Sequence, residues 1–198
     1  MNIKTQALIN AAAFVEENYG RDGLATLLRR CSPAVRDRYM SAISIDWQPM
    51  SELVELLEAI EQQFGQGGDQ LSRAIGARSA RQNTRGLVAR SLFYLASPQF
   101  LLRRIASLWS QFNDQGGMHL RNLDERSALI EVTGVPSPHR LFCATLTGWI
   151  HVISEAVGAT GSKVEHTKCR ARGQTQCLWT IHWDATVAKD AHPHSKQD

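Results

Sequence analysis

The chain has 198 residues, 43% of them apolar and 21% charged, with a formal net charge of +3. That length suits one domain with its own hydrophobic core, and no apolar run approaches the roughly 20 residues that span a bilayer, which excludes a membrane-spanning protein. Met1-Asn2-Ile3-Lys4-Thr5-Gln6 runs straight into an amphipathic pattern without the features of an export signal, so a cytoplasmic location is expected, where Cys31, Cys143, Cys169 and Cys177 stay reduced.

The first half reads as helical. Ala11, Phe14, Val15 and Tyr19 keep helical spacing up to a stop at Gly20, and Asp22 caps a second helix carrying Leu24, Leu27 and Leu28. Ser32-Pro33 opens a third helix, with serine as N-cap and proline where its missing N–H costs nothing. Pro49 breaks the chain, and Ser51 is expected to cap a helix whose buried stripe is Leu53, Leu56, Leu57, Ile60 and Phe64. That helix ends at Gly65 to Gly68 and exposes Glu52, Glu55, Glu58 and Glu61. From Asp69 to Phe112 the helical pattern continues, with interruptions expected at Gly76, Gly86 and Ser97-Pro98.

Gly116-Gly117 marks a change of period. Met118 to Asn122 and Ser127 to Thr133 read as strands joined by the turn Leu123-Asp124-Glu125-Arg126. A helix from Pro136 to Gly158 presents Phe142, Leu146, Trp149, Ile153 and Val157 on one stripe. Lys163–Cys169 and Thr175–Trp183 then form a hairpin around Arg170-Ala171-Arg172-Gly173-Gln174, with Cys177, Trp179, Ile181 and Trp183 on one face. The pattern gives an α+β fold: a helical N-terminal half packed on a small antiparallel sheet built as β-β-α-β-β in the C-terminal third. Residues 1–184 form the single domain, and the polar tail 185–198 is expected to be disordered.

Chemistry concentrates at Cys143-x25-Cys169-x7-Cys177. Cys143 falls in the first turns of the crossing helix, and Cys169 and Cys177 flank the hairpin turn, so antiparallel pairing brings three thiols within reach of one another. Three thiolates need one more donor for a tetrahedral zinc site. Glu125, Glu131 and His166 are the candidates, with Glu131 taken as the fourth ligand. Buried free thiols are the plainer reading of the spacing alone, and Cys31, after Arg29-Arg30, reads as structural.

The segment Val164-Glu165-His166-Thr167-Lys168-Cys169-Arg170-Ala171-Arg172-Gly173-Gln174-Thr175-Gln176-Cys177-Leu178-Trp179-Thr180-Ile181 resembles the closing hairpin of the 4-vinyl reductase-type domain, and Cys143 and Gly148 fit the helix before it. In aromatic-sensing transcription activators this domain type carries a structural zinc, bound by three cysteines and a glutamate beside an apolar pocket; the resemblance implies the same here. The wider chain, from Asn18-Tyr19-Gly20 through Asp46-Trp47-Gln48-Pro49 to the hairpin, is similar to a bacterial paralogous family of uncharacterised proteins related in fold to haem-nitric-oxide-binding and transport-particle proteins.

Other chemistries find less support. His119, His139, His151, His166 and His182 match no haem-sensor pattern, and haem is not expected. No Gly-x-Ser-x-Gly, phosphate-binding glycine loop or His-Glu-x-x-His is present, so no catalytic residue is assigned and the chain is read as not an enzyme. Arg73, Arg78, Arg81, Arg85 and Arg90, with Ser79 and Thr84, read as a solvated basic face, and nucleic acid is not an expected partner.

Two functions are consistent with this pattern. The first is a sensory or regulatory domain whose pocket, lined by Phe142, Leu146, Trp149, Ile153 and Trp179, takes an apolar or aromatic small molecule. The second is a signalling scaffold, compatible with a homodimer, that docks a protein partner on the Glu52 to Glu61 face or the arginine-rich segment. A pocket of about 300 Å³ or more would favour the sensor, and a filled interior the scaffold.

Overall fold

A computed structural model describes residues 1–83, 105–156 and 158–186. Strand β1 (Asn2–Lys4) leads into helix α1 (Gln6–Arg30), followed by α2 (Pro33–Met40), β2 (Trp47–Pro49), α3 (Met50–Phe64), α4 (Gln70–Asn83) and α5 (Ile105–Phe112). The second half runs β3 (Gly117–Leu123), β4 (Ser127–Thr133), α6 (Arg140–Ala156), β5 (Ala159–Thr160), β6 (Lys163–Lys168), a 3-10 turn at Arg170–Arg172, β7 (Cys177–His182) and β8 (Ala185–Thr186). Strands β3, β4, β7 and β6, in that spatial order, form an antiparallel sheet, and the expected β-β-α-β-β order is the observed one.

Local chemistry explains most boundaries. Gly20 bends α1 with φ 74° and ψ 175°, a conformation open to glycine, so the two expected helices join into one kinked helix. Ser32 Oγ accepts from the Val35 amide at 3.4 Å, capping α2 as expected. The expected cap at Ser51 is corrected. Helix α3 begins two residues earlier, with Pro49 in the cap position, because the Met50 amide donates to the Met1 carbonyl at 3.1 Å, a partner supplied by the far end of the chain.

The acidic face of α3 is also corrected, since each of its glutamates is engaged. Glu52 pairs with Arg38, Glu55 accepts from Ser32, Glu58 faces His139, and Glu61, buried, accepts from the Ser72 amide and hydroxyl. Glu61 thereby satisfies the start of α4 instead of facing a partner. The basic segment is likewise spoken for within the described residues: Arg73 pairs with Asp69 and Arg78 with Glu17. Gly86, Ser97-Pro98, Thr84, Arg85, Arg90 and Val157 lie outside the described residues.

Gly76 does not interrupt α4; it lets α4 cross α6. A Cβ on Gly76 would stand 1.9 Å from the Thr145 carbonyl oxygen, and one on Gly148 would stand 1.9 Å from the Arg73 carbonyl oxygen. Two glycines thus bring the backbones of α4 and α6 together, and this contact sets the height of α6 over the sheet. After β7 the chain pairs Ala185–Thr186 with Ala159–Thr160, and the remainder of the expected tail is outside the described residues. No helix among the described residues is long and apolar enough to cross a membrane.

Candidate ligand cavity and metal centre

Helix α6 separates two features. One face, carrying Phe142, Thr145, Leu146 and Trp149, borders a cavity of about 120 Å³. The opposite wall comes from Ile3, Lys4 and Ala7 at the N-terminus, Leu53 of α3, Ile75 of α4, and Leu108, Trp109 and Phe112 of α5, with Met118 below. This volume falls short of the roughly 300 Å³ expected of a sensor pocket, yet the interior is not filled, and the size is close to the ~150 Å³ apolar cavity that accepts benzene in an unrelated protein.

The described lining is apolar and carries no net charge toward the cavity. Lys4 Nζ turns away, donating to the Ile45 carbonyl at 2.6 Å and standing 3.9 Å from the Trp47 ring centre. The polar groups at the margin are amides and hydroxyls: Gln6, Asn10, Ser79, Asn83, Asn113 and Thr145. Most of these are already bonded, as when Gln6 donates to Asn10, Ser79 to the Ile75 carbonyl and Thr145 to the Phe142 carbonyl. Among the described residues the lining offers a buried charge no counter-charge.

Of the five residues expected to line a pocket, Phe142, Leu146 and Trp149 border this cavity, and two do not. Ile153, one turn further along α6, packs with Ala80 and Val152. Trp179 lies fully buried on the sheet side of α6, where its Nε1–H donates to Thr147 Oγ1 at 2.9 Å. The wall from β1 and α5 was not foreseen, because those residues meet only through long-range contacts that periodicity does not report.

The other face of α6 carries Cys143, which meets the final hairpin. Ligand atoms of Cys143, His166, Cys169 and Cys177 all lie within 4.8 Å of one another, and the three sulfurs are buried. Strand register explains the grouping. His166 pairs with Trp179 across β6 and β7, but Lys168 pairs with Leu178, so a bulge at Thr167 inserts one residue. Strict alternation would put positions 166 and 169 on opposite faces; the extra residue returns both to the face of Cys177.

The expected fourth ligand is corrected on the same register. Glu131 pairs with Leu178, hence points to the sheet face opposite Cys177, where Arg121 holds it at 2.5 Å. Glu125 is exposed in the β3–β4 turn, at the other end of β7 from Cys177. His166 stands at that corner of the sulfur group instead, stacked on Trp179 with ring centres 4.1 Å apart and its buried Nε2 without a hydrogen-bond partner.

The turn is shaped for sulfur. Gly173, at φ 82°, closes it, the Arg170 amide donates to Cys177 Sγ at 3.3 Å, and the Cys169 amide donates to Gln174 Oε1. The neighbouring Cys177 sulfur and burial push the Cys143 thiol well above the usual range, and the Cys143 thiol pulls Cys177 below it, against the effect of burial there. His166 and the Arg170 amide reinforce the lowering at Cys177. Three sulfurs and one imidazole in a compact, buried group form a donor set of the closed tetrahedral zinc type, and these residues fit that metal. Cys31 stands apart, its thiol pushed up by burial and by Glu55, with Sγ donating to the Leu27 carbonyl.

No protein-family model and no curated protein matches the chain. Solved structures do. An H-NOX protein from Shewanella oneidensis in the Fe(II) state superposes with a TM-score of 0.74 at 16% identity, over 93% of this chain and 98% of that one. An Fe(II) unliganded H-NOX protein from K. algicida gives 0.71 at 13% identity, over 93% and 98%. An oxygen-binding H-NOX domain related to soluble guanylate cyclases gives 0.67 at 12% identity, over 93% and 96%. The chain has the H-NOX fold, a haem-nitric-oxide-binding architecture, in agreement with the fold relation that the sequence resemblance implies.

This finding overturns the expectation that haem plays no part, which rested on the histidine pattern alone. Proteins of this fold are described in Fe(II), Fe(II)NO and Fe(II)CO states. The described lining of this chain's cavity, however, does not fit iron ligation by imidazole. None of its residues is a histidine, cysteine or tyrosine, and Met118 is its one soft donor. The five described histidines are placed elsewhere: His119 against Thr133, His139 against Glu58, His151 against Ser162, His166 among the sulfurs and His182 exposed. In sequence, residues 84–104 contain no histidine or cysteine and one tyrosine, Tyr94.

Proposed function

We propose that the protein is a non-enzymatic sensory domain of the 4-vinyl reductase type. It would bind one small, neutral, apolar or aromatic molecule in the cavity between α6 and the β1/α5 wall, with zinc at Cys143, His166, Cys169 and Cys177 bracing the fold. The observation that carries this reading is the cavity itself: about 120 Å³, walled by Phe142, Leu146, Trp149, Trp109 and Ile75, with no charged head turned into it among the described residues. Burying an apolar ring there stabilises the complex by about 25 cal/mol for each Å² removed from water, which is enough for binding without an ionic anchor. Four reduced, buried cysteines accord with a cytoplasmic setting.

The test is a titration of the zinc-loaded protein with toluene, read by tryptophan fluorescence excited to the red of the toluene band. Trp109 and Trp149 report directly on the cavity. A saturable change is expected, lost in Ala7→Leu, which adds three carbons to the wall. A response that never saturates, or that survives the cavity-filling substitution unchanged, contradicts the reading.

A further inference from the structure

Helix α6 belongs to both features. Within eight residues, Phe142, Leu146 and Trp149 border the cavity, while Cys143 and Thr147, one turn apart on the other side, face the hairpin. From the sulfur cluster to the helix runs a short chain of contacts: the His166 ring stacks on Trp179, the Trp179 Nε1–H donates to Thr147 Oγ1, and the Thr147 hydroxyl donates to the Cys143 carbonyl at 2.9 Å. Two of the four cluster residues and the bridging indole sit on β6 and β7; Cys169 sits on the turn between them, and only Cys143 is on the helix.

We propose that metal binding at this cluster and ligand binding in the cavity are energetically coupled through α6. The proposal rests on the cavity reading above and adds its regulation. Joining Cys143 to three donors of the hairpin fixes α6 against the sheet, and the side chains that shape the cavity then stand in one position. Without that joint, α6 keeps its glycine crossing to α4 but is held to the hairpin by the Thr147 bond and packing, so its cavity face samples more than one arrangement. A molecule that fits the fixed arrangement binds more tightly when metal is present. Linkage requires the reverse as well: the same molecule must tighten metal binding by the same factor.

The experiment uses fluorobenzene as the probe and zinc as the metal. Fluorobenzene affinity is measured by fluorine NMR on zinc-loaded and chelator-treated protein, with circular dichroism to verify that the treated protein stays folded. Zinc affinity is measured by competition with a chromophoric chelator, with and without saturating probe. Coupling of about 5- to 150-fold is expected, equal in both directions. Thr147→Val, which keeps all four donors but removes the bond to Trp179, should bind zinc and probe and show a smaller coupling factor; this variant decides the matter if chelated protein unfolds. Equal probe affinity with and without zinc overturns the coupling while leaving the cavity reading intact, as does an unchanged factor in Thr147→Val. Absence of fluorobenzene binding in both states overturns the cavity reading, and the coupling with it.

Discussion

At position 166 an imidazole occupies the corner that the family resemblance assigns to a carboxylate, and the bulge at Thr167 puts it there. Two substitutions separate these residues. His166→Ala should weaken zinc binding by more than the roughly 10- to 100-fold typical of losing an outer-shell contact, because a ligand itself is removed. Glu131→Gln should leave zinc affinity unchanged, since Glu131 lies on the opposite face with Arg121. Isothermal titration of both variants checks this, and the opposite ranking would restore the carboxylate. Thermal melts make a second comparison: Cys169→Ser or Cys177→Ser should lower Tm far more than Cys31→Ser, because each dismantles a shared coordination shell. Equal losses at all three would mean that the cysteines act separately. The three sulfur ligands were legible because a hairpin turn brings its own ends together. The imidazole was one of three candidates and could not be preferred over Glu131, because its face depends on one extra residue in the ladder, which alternation counting cannot detect.

Among the elements, α6 bears the most constraint, and its glycine shows how. Gly148→Ala would drive a methyl to within 1.9 Å of the Arg73 carbonyl oxygen, a backbone atom that cannot swing aside. Overpacking of this kind costs about 1–3 kcal/mol or more, and denaturant unfolding should record it. Gly148→Ala should also weaken toluene binding, because separating α4 from α6 moves Ile75 away from Leu146 and Trp149. A neutral effect on both would mean that the crossing is looser than described. At this scale the sequence was informative where signals are local. The Ser32-Pro33 start of α2, strand β4 and the order of sheet elements all follow from neighbours in the chain. It misled where partners are distant: the Met1 carbonyl starts α3, and Ser72 draws Glu61 into the interior, where an acidic helix face was expected in solvent.

The molecule as a whole places a small-ligand cavity and a sulfur cluster on the two sides of one helix, within a fold shared with H-NOX proteins at 12–16% identity. Such identity fixes the architecture and leaves the contents of the cavity to this chain's own residues. The fold class could be read from patterning, whereas the cavity could not. Its walls come from β1, α1, α3, α4, α5, β3 and α6, segments spread from Ile3 to Trp149, and periodicity reports the buried face of each helix without saying which faces meet. The central claim, that this cavity is the ligand site, is tested most directly by mapping amide and methyl NMR shifts of the zinc-loaded protein during a toluene titration. The account predicts saturable shifts concentrated at Ile3, Ala7, Ile75, Leu146 and Trp149, all with one dissociation constant. Shifts scattered over the surface, or growing linearly with toluene and sparing these residues, would contradict it.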